Sequence, residues 1–300
     1  MFDTIHLVAY GVMIDPIQII LRNNIVKTGK TLTEHGDVEQ RFTISDKQIP
    51  YIDYHDLKQR LIVHVSIPKF LFGDNVTLVK ESDLSLFWAK LGSRLYNLLN
   101  IRMDKQDWQV SRLDVCWNFN VGERVEDYIK HLSSKHFGRR RTCLYNQNQT
   151  IEFRTKSSSI KFYDKAKECK NGKLSDEIIQ KAMGLLRMEV QESSYHLRQY
   201  SKERKAVDLL TVNYFKRTIL KVEPLLRFAA TEMEMSFDWI KKQKITDVER
   251  AIGFSALLEH FSEAELKELF APATYYKRLK LVQQLSSRKQ ILADLTIDVA

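Results

Sequence analysis

The sequence contains few of the residues that build disulfide frameworks, zinc sites or disordered linkers. Its 300 residues include only 3 Cys, 5 Pro and 10 Gly. Cys116, Cys143 and Cys169 are too few and too widely spaced for a disulfide framework or a four-cysteine zinc site. We therefore expect a reducing compartment, the cytoplasm. The low Pro and Gly content argues against extensive disorder, and a chain of this length can bury a large core.

Long apolar runs are also missing. No stretch approaches the ~18 apolar residues that a membrane helix requires. Residues 1–14 are largely apolar, but Asp3 and His6 interrupt them and no basic segment precedes them. This pattern is typical of a first strand and not of a signal peptide. We expect no membrane partner.

Several motifs of common enzyme classes are absent. The segment Lys27-Thr28-Gly29-Lys30-Thr31 resembles the end of a phosphate-binding loop, but Asn24 stands where a Walker A motif needs Gly. This substitution argues against an ATPase. The chain also lacks a Gly-x-Ser-x-Gly motif, a dinucleotide fingerprint, a zinc-binding His pair on a helix and a His-hydrophobe-His triplet.

Positive charge is concentrated in one segment. The formal net charge is +9, and residues 135–173 alone hold eleven basic residues against three acidic ones. Aromatic residues alternate with these cations, a combination that suits a nucleic-acid strand whose phosphates pair with cations and whose bases stack. A solvated basic face without a partner is the alternative. The cations that we predict to contact DNA in this segment are Arg139, Arg140, Arg141, Arg154, Lys156 and Lys161.

Periodicity predicts an α+β fold followed by helices. Apolar residues recur with period two or period 3.6 in separate segments. We predict strands at 4–14, 17–26, 41–45, 60–67, 108–120, 141–145, 150–154, 159–163 and 185–191. We predict helices at 84–99, 122–135, 174–183, 247–260, 262–270 and 274–285, a turn around Pro68 and Gly73, and helix starts at Pro224 and Pro272. The predicted domains are a catalytic domain at 1–225 and a helical domain at 226–300.

Four predicted strands share a polar face. Alternation along each strand would place His64, Asp114, Glu189 and Tyr163 on one face of an antiparallel sheet, with helices packed on the other. Two carboxylates and an imidazole suit Mg²⁺ or Mn²⁺, and a nearby cation would favour a tyrosine phenolate as nucleophile. Each residue also has a structural alternative: ion pairing with an arginine for the carboxylates, base stacking for the tyrosine and a purely structural role for the histidine.

Four sequence blocks follow one another along the chain. They are residues 66–75, Ser111-Arg112-Leu113-Asp114, Ile160-Lys161-Phe162-Tyr163-Asp164-Lys165 with the following Glu168, and Leu186-Arg187-Met188-Glu189. In this order they resemble the phage and plasmid replication proteins of the gene II/X family, the initiators of rolling-circle replication, and more distantly the Rep_trans plasmid initiators. The resemblance spans residues 3–191, and the region 275–279 is similar to the family's helical tail.

The resemblance implies a Rep- or relaxase-like nuclease fold that nicks and rejoins one DNA strand. Tyr163 would attack the origin phosphodiester, leaving a 5′-phosphotyrosyl link and a free 3′-hydroxyl. Asp114 and Glu189 would be metal ligands, joined by His64, although relatives can carry a carboxylate there. Lys165, together with Lys161, would favour the phenolate or hold the phosphate. We also expect Lys69, Arg112 and Arg187 to contact DNA.

Other functions remain open at this level. A non-catalytic DNA-binding replication regulator would use the same basic segment, and a mobilisation relaxase would share the chemistry on another substrate. Tyr145 and Tyr195 are the alternative nucleophiles. The C-terminal helices could bind DNA or serve packing and dimerisation. The expected partners are origin DNA, single-stranded or supercoiled, then a host helicase and polymerase, with a homodimer as a further alternative.

Overall fold

The computed structural model describes residues 1–32, 34–147, 149–228, 244–286 and 292–297. The chain divides into two compact units. Unit 1 comprises residues 1–226 with 295–300, and unit 2 comprises residues 227–294. Among the described residues, no helix combines the length and the apolar character needed to cross a bilayer.

Unit 1 is built on an antiparallel sheet whose strands follow the order β2-β3-β4-β5-β1-β6-β10-β9-β8-β7. The predicted α+β class, with an antiparallel sheet and C-terminal helices, is confirmed. The strands are β1 (Phe2–Ala9), β2 (Val26–Leu32), β3 (Val38–Ile44), β4 (Tyr51–His55), β5 (Arg60–Ser66), β6 (Gln109–Asn120), β7 (Arg141–Tyr145), β8 (Thr150–Arg154), β9 (Ser158–Asp164) and β10 (Leu185–Ser193).

The two faces of this sheet differ in polarity because neighbouring side chains on a strand point to opposite sides. On β5, Leu61, Val63 and Val65 are buried while the intervening His64 is partly exposed. The apolar face packs against helix α9 (Val212–Leu226), whose Phe215 ring lies 5.7 Å from Trp117 and 6.4 Å from Phe2, centroid to centroid. The opposite, polar face carries the predicted site residues.

Helices connect and cover the strands. The segment 84–99 forms the predicted amphipathic helix, with six leucine and phenylalanine side chains buried. Besides α9, the helices of unit 1 are α1 (Pro16–Arg22), α2 (Ile67–Phe72), α3 (Leu84–Leu99), α4 (Val125–Ser134), α5 (Lys165–Asn171), α6 (Asp176–Ala182), α7 (Ser194–Arg198) and α8 (Ala206–Leu209).

Three local predictions were wrong. Residues 16–22 form helix α1 and not a strand, because Asp15 caps its first turn and Pro16 fits position N1. Pro68 lies in the first turn of helix α2, and only Gly73 ends it, at a φ of 81°. Pro224 lies near the end of helix α9 and does not start a helix. The strand β4 was not predicted at all, and β2 was predicted only at its first residue, Val26.

Unit 2 contains the helices α10 (Ile245–His260), α11 (Glu263–Leu269) and α12 (Pro272–Ser286). The predicted start at Pro272 is confirmed, and Ser262 caps helix α11 and forms a capping box with Glu265. Phe254, Leu266 and Tyr275, one from each helix, are the buried centre of this unit.

Candidate active site

The polar face carries a row of side chains that runs across five strands. Cross-strand pairing aligns Tyr145 with Thr150, Thr150 with Tyr163, Tyr163 with Arg187 and Arg187 with Asn118. Directly paired residues share a face and lie about 5 Å apart. The row therefore joins the edge strand β7 to the central strand β6 through the predicted nucleophile.

Two residues of the predicted site, Tyr163 and Glu189, are in direct contact. The Tyr163 hydroxyl donates a hydrogen bond to Glu189 Oε1 at 2.5 Å, and Tyr163 is only 8% exposed. Burial, followed by the Glu189 charge, raises the pKa of Tyr163 well above its usual value. Burial and the charge of Asp3 likewise raise the pKa of Glu189. The pair thus keeps the phenol protonated and gives it an adjacent proton acceptor.

Arg187, one of the cations predicted to contact DNA, lies inside the protein and anchors the site. Its side chain is 0% exposed. It donates to Asp3 Oδ2 at 2.6 Å, to Glu189 Oε1 at 3.2 Å, to Asn118 Oδ1 at 3.1 Å and to the Asn75 carbonyl at 3.0 Å. With its donors directed inward, the guanidinium does not face a strand on the surface. It fixes Glu189 beside Tyr163.

Asp3 belongs to the site although the sequence pattern did not place it there. The pairing of β1 with β6 shifts register between Phe2 and Ile5, and such an irregularity re-aims a side chain. Asp3 accepts from Ser66 Oγ at 3.0 Å and from Arg187. Burial would raise the pKa of Asp3, but Arg187 and Lys165 together lower it. A prediction from strict period-two alternation does not place Asp3 on the polar face, because the register shift interrupts that period.

Lys165 lies beside the phenol of Tyr163 but is paired elsewhere. Its side chain is fully buried, its Nζ lies 2.8 Å from Glu168 Oε2, and the same Nζ is 5.7 Å from the centroid of the Tyr163 ring. The lysine is the first residue of helix α5, which Asp164 caps. Lys165 therefore adds positive charge behind the ring and does not contact the hydroxyl directly.

The other predicted metal ligands lie further along the polar face. Asp114 is clamped by Arg112, whose Nε and Nη2 lie 2.9 and 2.5 Å from its two oxygens. Burial nevertheless raises the pKa of Asp114. The ion pairs of Asp114 with Arg112 and of Glu189 with Arg187, which we considered as the structural alternative, are both present.

His64 is the middle ring of a three-ring column. Its ring stacks on His6 at 3.5 Å and on Tyr51 at 4.5 Å, centroid to centroid. Burial and the charge of Arg112 lower the pKa of His64. Burial, His64 and Arg112 lower the pKa of His6 to about 3. Both imidazoles are therefore neutral near pH 7. His6 is a second site residue that the sequence pattern did not single out.

These side chains do not form a metal-ligand set in the described arrangement. Among the described residues, no three His, Cys, Asp or Glu side chains are grouped so that they could hold a metal ion. Asp114 and Glu189 instead direct their oxygens at Arg112, Arg187 and Tyr163. The residues supply the oxygen donors that Mg²⁺ or Mn²⁺ prefers, but not the geometry. We therefore derive no catalytic step through a metal.

The predicted DNA-binding cations divide into outward and inward groups. Arg141 and Arg154 are exposed and stand directly opposite each other on β7 and β8. Like charges in this position destabilise a sheet, and a bound anion would offset the repulsion. Lys161 lies on the same face, 3.8 Å from Glu152 Oε1. The other exposed cations of the predicted set are Arg139, Lys156 and Lys69.

Arg140 differs from this group. Its guanidinium donates to Ser158 Oγ and to the Ser158 and Phe153 carbonyls, and it lies over the Phe137 ring. These contacts hold the turn between β8 and β9. Arg140 therefore stabilises the strand that carries Tyr163 and is less free to contact a phosphate.

The two alternative nucleophiles occupy different positions. Tyr145 shares the row of Tyr163, is 41% exposed, and donates to Glu152 Oε2 at 3.1 Å. Tyr195 is 65% exposed on helix α7, where its ring packs edge-on against His196. In contrast to Tyr163, neither contacts Glu189 in any hydrogen bond of the described residues.

A comparison with known families identifies residues 13–237, more than half of the chain, as a match to a phage family model that describes the N-terminal part of a replication-associated protein. The match includes strands β2–β10 and Tyr163, and it ends before the helices α10–α12. Among curated proteins, none matches the chain.

Proposed function

The chain belongs to this phage family of replication-associated proteins, which supports a role in replication initiation, and we propose that it nicks one strand of origin DNA through Tyr163. The nick would start rolling-circle synthesis, and the reverse reaction would rejoin the strand. The observation that carries this proposal is the 2.5 Å hydrogen bond from the Tyr163 hydroxyl to Glu189.

The geometry suits a nucleophile with an adjacent base. A phenol is a weak nucleophile at neutral pH and needs a proton acceptor within hydrogen-bond reach. Tyr163 Oη attacks the phosphorus and its proton passes to Glu189 Oε1. The bond from phosphorus to the 3′ oxygen breaks, and that oxygen takes a proton from water. The products are a 5′-phosphotyrosyl link and a free 3′-hydroxyl, which can prime a polymerase.

The rejoining step uses the same pair in reverse. The 3′-hydroxyl gives its proton to a solvent hydroxide and attacks the phosphotyrosyl phosphorus, the bond to Tyr163 Oη breaks, and Glu189 returns its proton to the phenolate. Because Arg187 donates to Glu189 and is itself held by Asp3, the carboxyl is fixed in place for both steps. Buried groups that are fixed by their own hydrogen bonds cost little reorganisation during reaction.

The charge on the outer strands suggests how DNA approaches. Arg141 and Arg154 would hold a phosphate at the far side of β7 and β8, and Lys161 would hold the phosphate near Glu189. Thr150 and Tyr145 continue the row from Tyr163 to the sheet edge. A single strand laid on this face would reach the nucleophile from that edge.

A divalent cation remains part of the proposal without a defined position. Mg²⁺ or Mn²⁺ bound to the Asp114 or Glu189 carboxylate would supply charge that stabilises the phosphorane-like transition state. His64 would join such a set only if its ring left the column between Tyr51 and His6.

The test is incubation of the full chain with supercoiled DNA of its own replicon in the presence of Mg²⁺. We expect a relaxed, nicked product and a DNA-linked peptide that contains Tyr163. Tyr163→Phe should bind the same DNA but form neither product. Tyr145→Phe and Tyr195→Phe are the matched controls and should retain nicking.

Two results would overturn the proposal. Undiminished nicking by Tyr163→Phe would remove this residue from the mechanism and leave Tyr145 or Tyr195 as nucleophile. Salt-sensitive binding by the parent with no covalent adduct, with either cation present, would instead favour the non-catalytic regulator. A host helicase would be added to the same reactions to test whether it is a partner. The oligomeric state of the chain in these reactions would show whether it acts as a homodimer.

A further inference from the structure

Unit 2 separates its charges by helix. Helices α10 and α11, residues 245–269, contain six acidic residues and two basic ones, Arg250 and Lys267. Helix α12 contains Lys277, Arg278 and Lys280 and no acidic residue. Acidic and basic residues nearly balance over residues 245–286 as a whole. Among the helices of unit 2 that the structure describes, α12 is therefore the one with a net positive charge.

The helix α12 has one face in the core and one in solvent. Tyr275, Leu279 and Val282 pack with Phe254 and Leu266. On the opposite side, Ala273, Tyr276, Lys277 and Lys280 are exposed and follow one another at helical spacing. Fifteen residues give a length of about 22 Å. The exposed stripe, from Ala273 to Lys280, covers about 10 Å of this length, and it has no apolar residue larger than Tyr276.

The two lysines of the exposed stripe face solvent. Neither Lys277 nor Lys280 has an ion-pair partner in the described part of the chain. Arg278, by contrast, lies over the Phe270 ring at 4.6 Å and belongs to the packing. The structure thus distinguishes one structural cation from two that face solvent.

The neighbouring helix fixes the tyrosine of this stripe. Lys267 of α11 pairs with Glu263 at 2.6 Å, and its Nζ lies 5.7 Å from the Tyr276 ring centroid. Tyr276 remains 56% exposed, so its hydroxyl can meet a polar ligand while its ring is held. The short helix α11 is followed after two residues, Phe270 and Ala271, by the longer α12.

We propose that the exposed face of α12, formed by Tyr276, Lys277 and Lys280 with Thr274, is a contact surface for double-stranded DNA. A cationic helix with a free polar stripe fits the major groove, which admits a single α-helix. A short helix joined by a tight turn to a longer one is the arrangement in which the second helix contacts bases. An interface with another protein would instead favour an apolar centre, which this stripe lacks.

This inference goes beyond the proposed nicking and does not depend on it, because duplex binding requires no phosphodiester chemistry. Nicking through Tyr163 concerns a single strand on the sheet of unit 1. The exposed face of α12 would be a separate binding surface for duplex DNA. Each function can therefore fail without the other.

The test uses the full chain carrying Tyr163→Phe, so that no cleavage complicates binding. A short fluorescent duplex of mixed sequence and its single strand are titrated at several salt concentrations. Lys277→Ala/Lys280→Ala should weaken duplex binding and reduce the slope of log K against log salt by about 1.8, since each phosphate contact contributes about 0.9. Binding of the single strand should not change.

The matched control is Lys244→Ala, an exposed lysine just before α10, which should leave the duplex slope unchanged. Circular dichroism of each variant checks that unit 2 keeps its helices. Unchanged duplex affinity and slope in the double variant would overturn the proposal. So would an altered sedimentation coefficient without a change in duplex binding, because that result assigns the face to contacts between copies of the chain.

Discussion

Tyr163 and Glu189 are diagonal neighbours on adjacent strands, not directly opposed ones. The register pairs Tyr163 with Arg187 and Glu189 with Lys161, yet the phenolic oxygen lies 2.5 Å from Glu189 Oε1. The direct partner of each residue in the pair is a cation. The nucleophile and its acceptor are therefore flanked by Arg187, which orients the carboxylate, and Lys161, which is placed to meet a phosphate.

The first prediction concerns Glu189 as the proton acceptor. Glu189→Gln keeps the shape of the side chain but cannot accept the Tyr163 proton, so single-turnover nicking should slow by about 10²-fold or more. Burial raises the pKa of Glu189, and the group must be deprotonated to act. The nicking rate of the parent should thus rise with pH through that raised pKa and then level, and the variant should lose this dependence.

A titration with Mn²⁺ separates this role from metal binding. If Glu189 serves mainly as a ligand, a high Mn²⁺ concentration should restore the rate of Glu189→Gln. We expect no such recovery. Restoration of the full rate would contradict the assignment of Glu189 as acceptor.

The second prediction concerns Arg187 as an internal anchor. Arg187→Met has similar volume but leaves Asp3 and Glu189 buried without their shared counter-charge. Removing one partner of a buried ion pair costs about 3–5 kcal/mol. We expect urea denaturation to show a loss of this size, and Asp3→Asn/Arg187→Met should recover part of it. Lys167→Ala, which breaks surface pairs with Glu126 and Asp164, should change stability far less, because exposed ion pairs contribute little.

The third prediction concerns the three thiols. Burial raises the pKa of Cys116 to about 11, and burial also raises the pKa of Cys169. At pH 8 both thiols stay protonated and covered, whereas Cys143 is only partly buried. Brief iodoacetamide treatment of the native protein should alkylate Cys143 alone, as read by peptide mass spectrometry. In urea all three should react, and rapid modification of native Cys116 would refute the prediction.

The fourth prediction compares two glycines with opposite expected signs. Gly184 has a φ of +72°, and a Cβ added there would lie 3.0 Å from Gly122 Cα. Gly184→Ala should therefore destabilise unit 1 by more than about 1 kcal/mol. Gly92 lies inside helix α3 with nothing within 4 Å of an added Cβ. Gly92→Ala should stabilise the protein by about 0.5–1 kcal/mol. Equal effects of the two substitutions on the thermal unfolding temperature would contradict this prediction.

Much of the fold could be predicted from the sequence because local periodicity is sufficient for it. The alternation in residues 61–67, 110–119 and 186–191 defined a polar and an apolar face, and the sheet has both. The helical spacing of Leu84, Phe87 and Leu91 defined helix α3. The strand prediction for residues 17–26 was wrong because a short apolar run is compatible with either a strand or a helix. The N-cap at Asp15 favours the helix.

The sequence by itself determined the class of fold, the family, the basic segment and the candidacy of Tyr163, since each depends on residue types at fixed spacing. Only the tertiary structure decided what these residues contact. A register shift near the start of β1 brings Asp3 across 184 positions of the chain to Arg187, which places Arg187 inside and Glu189 against the phenol. Such contacts depend on strand register and on bulges, and these are set by pairing between distant segments, which no local pattern encodes.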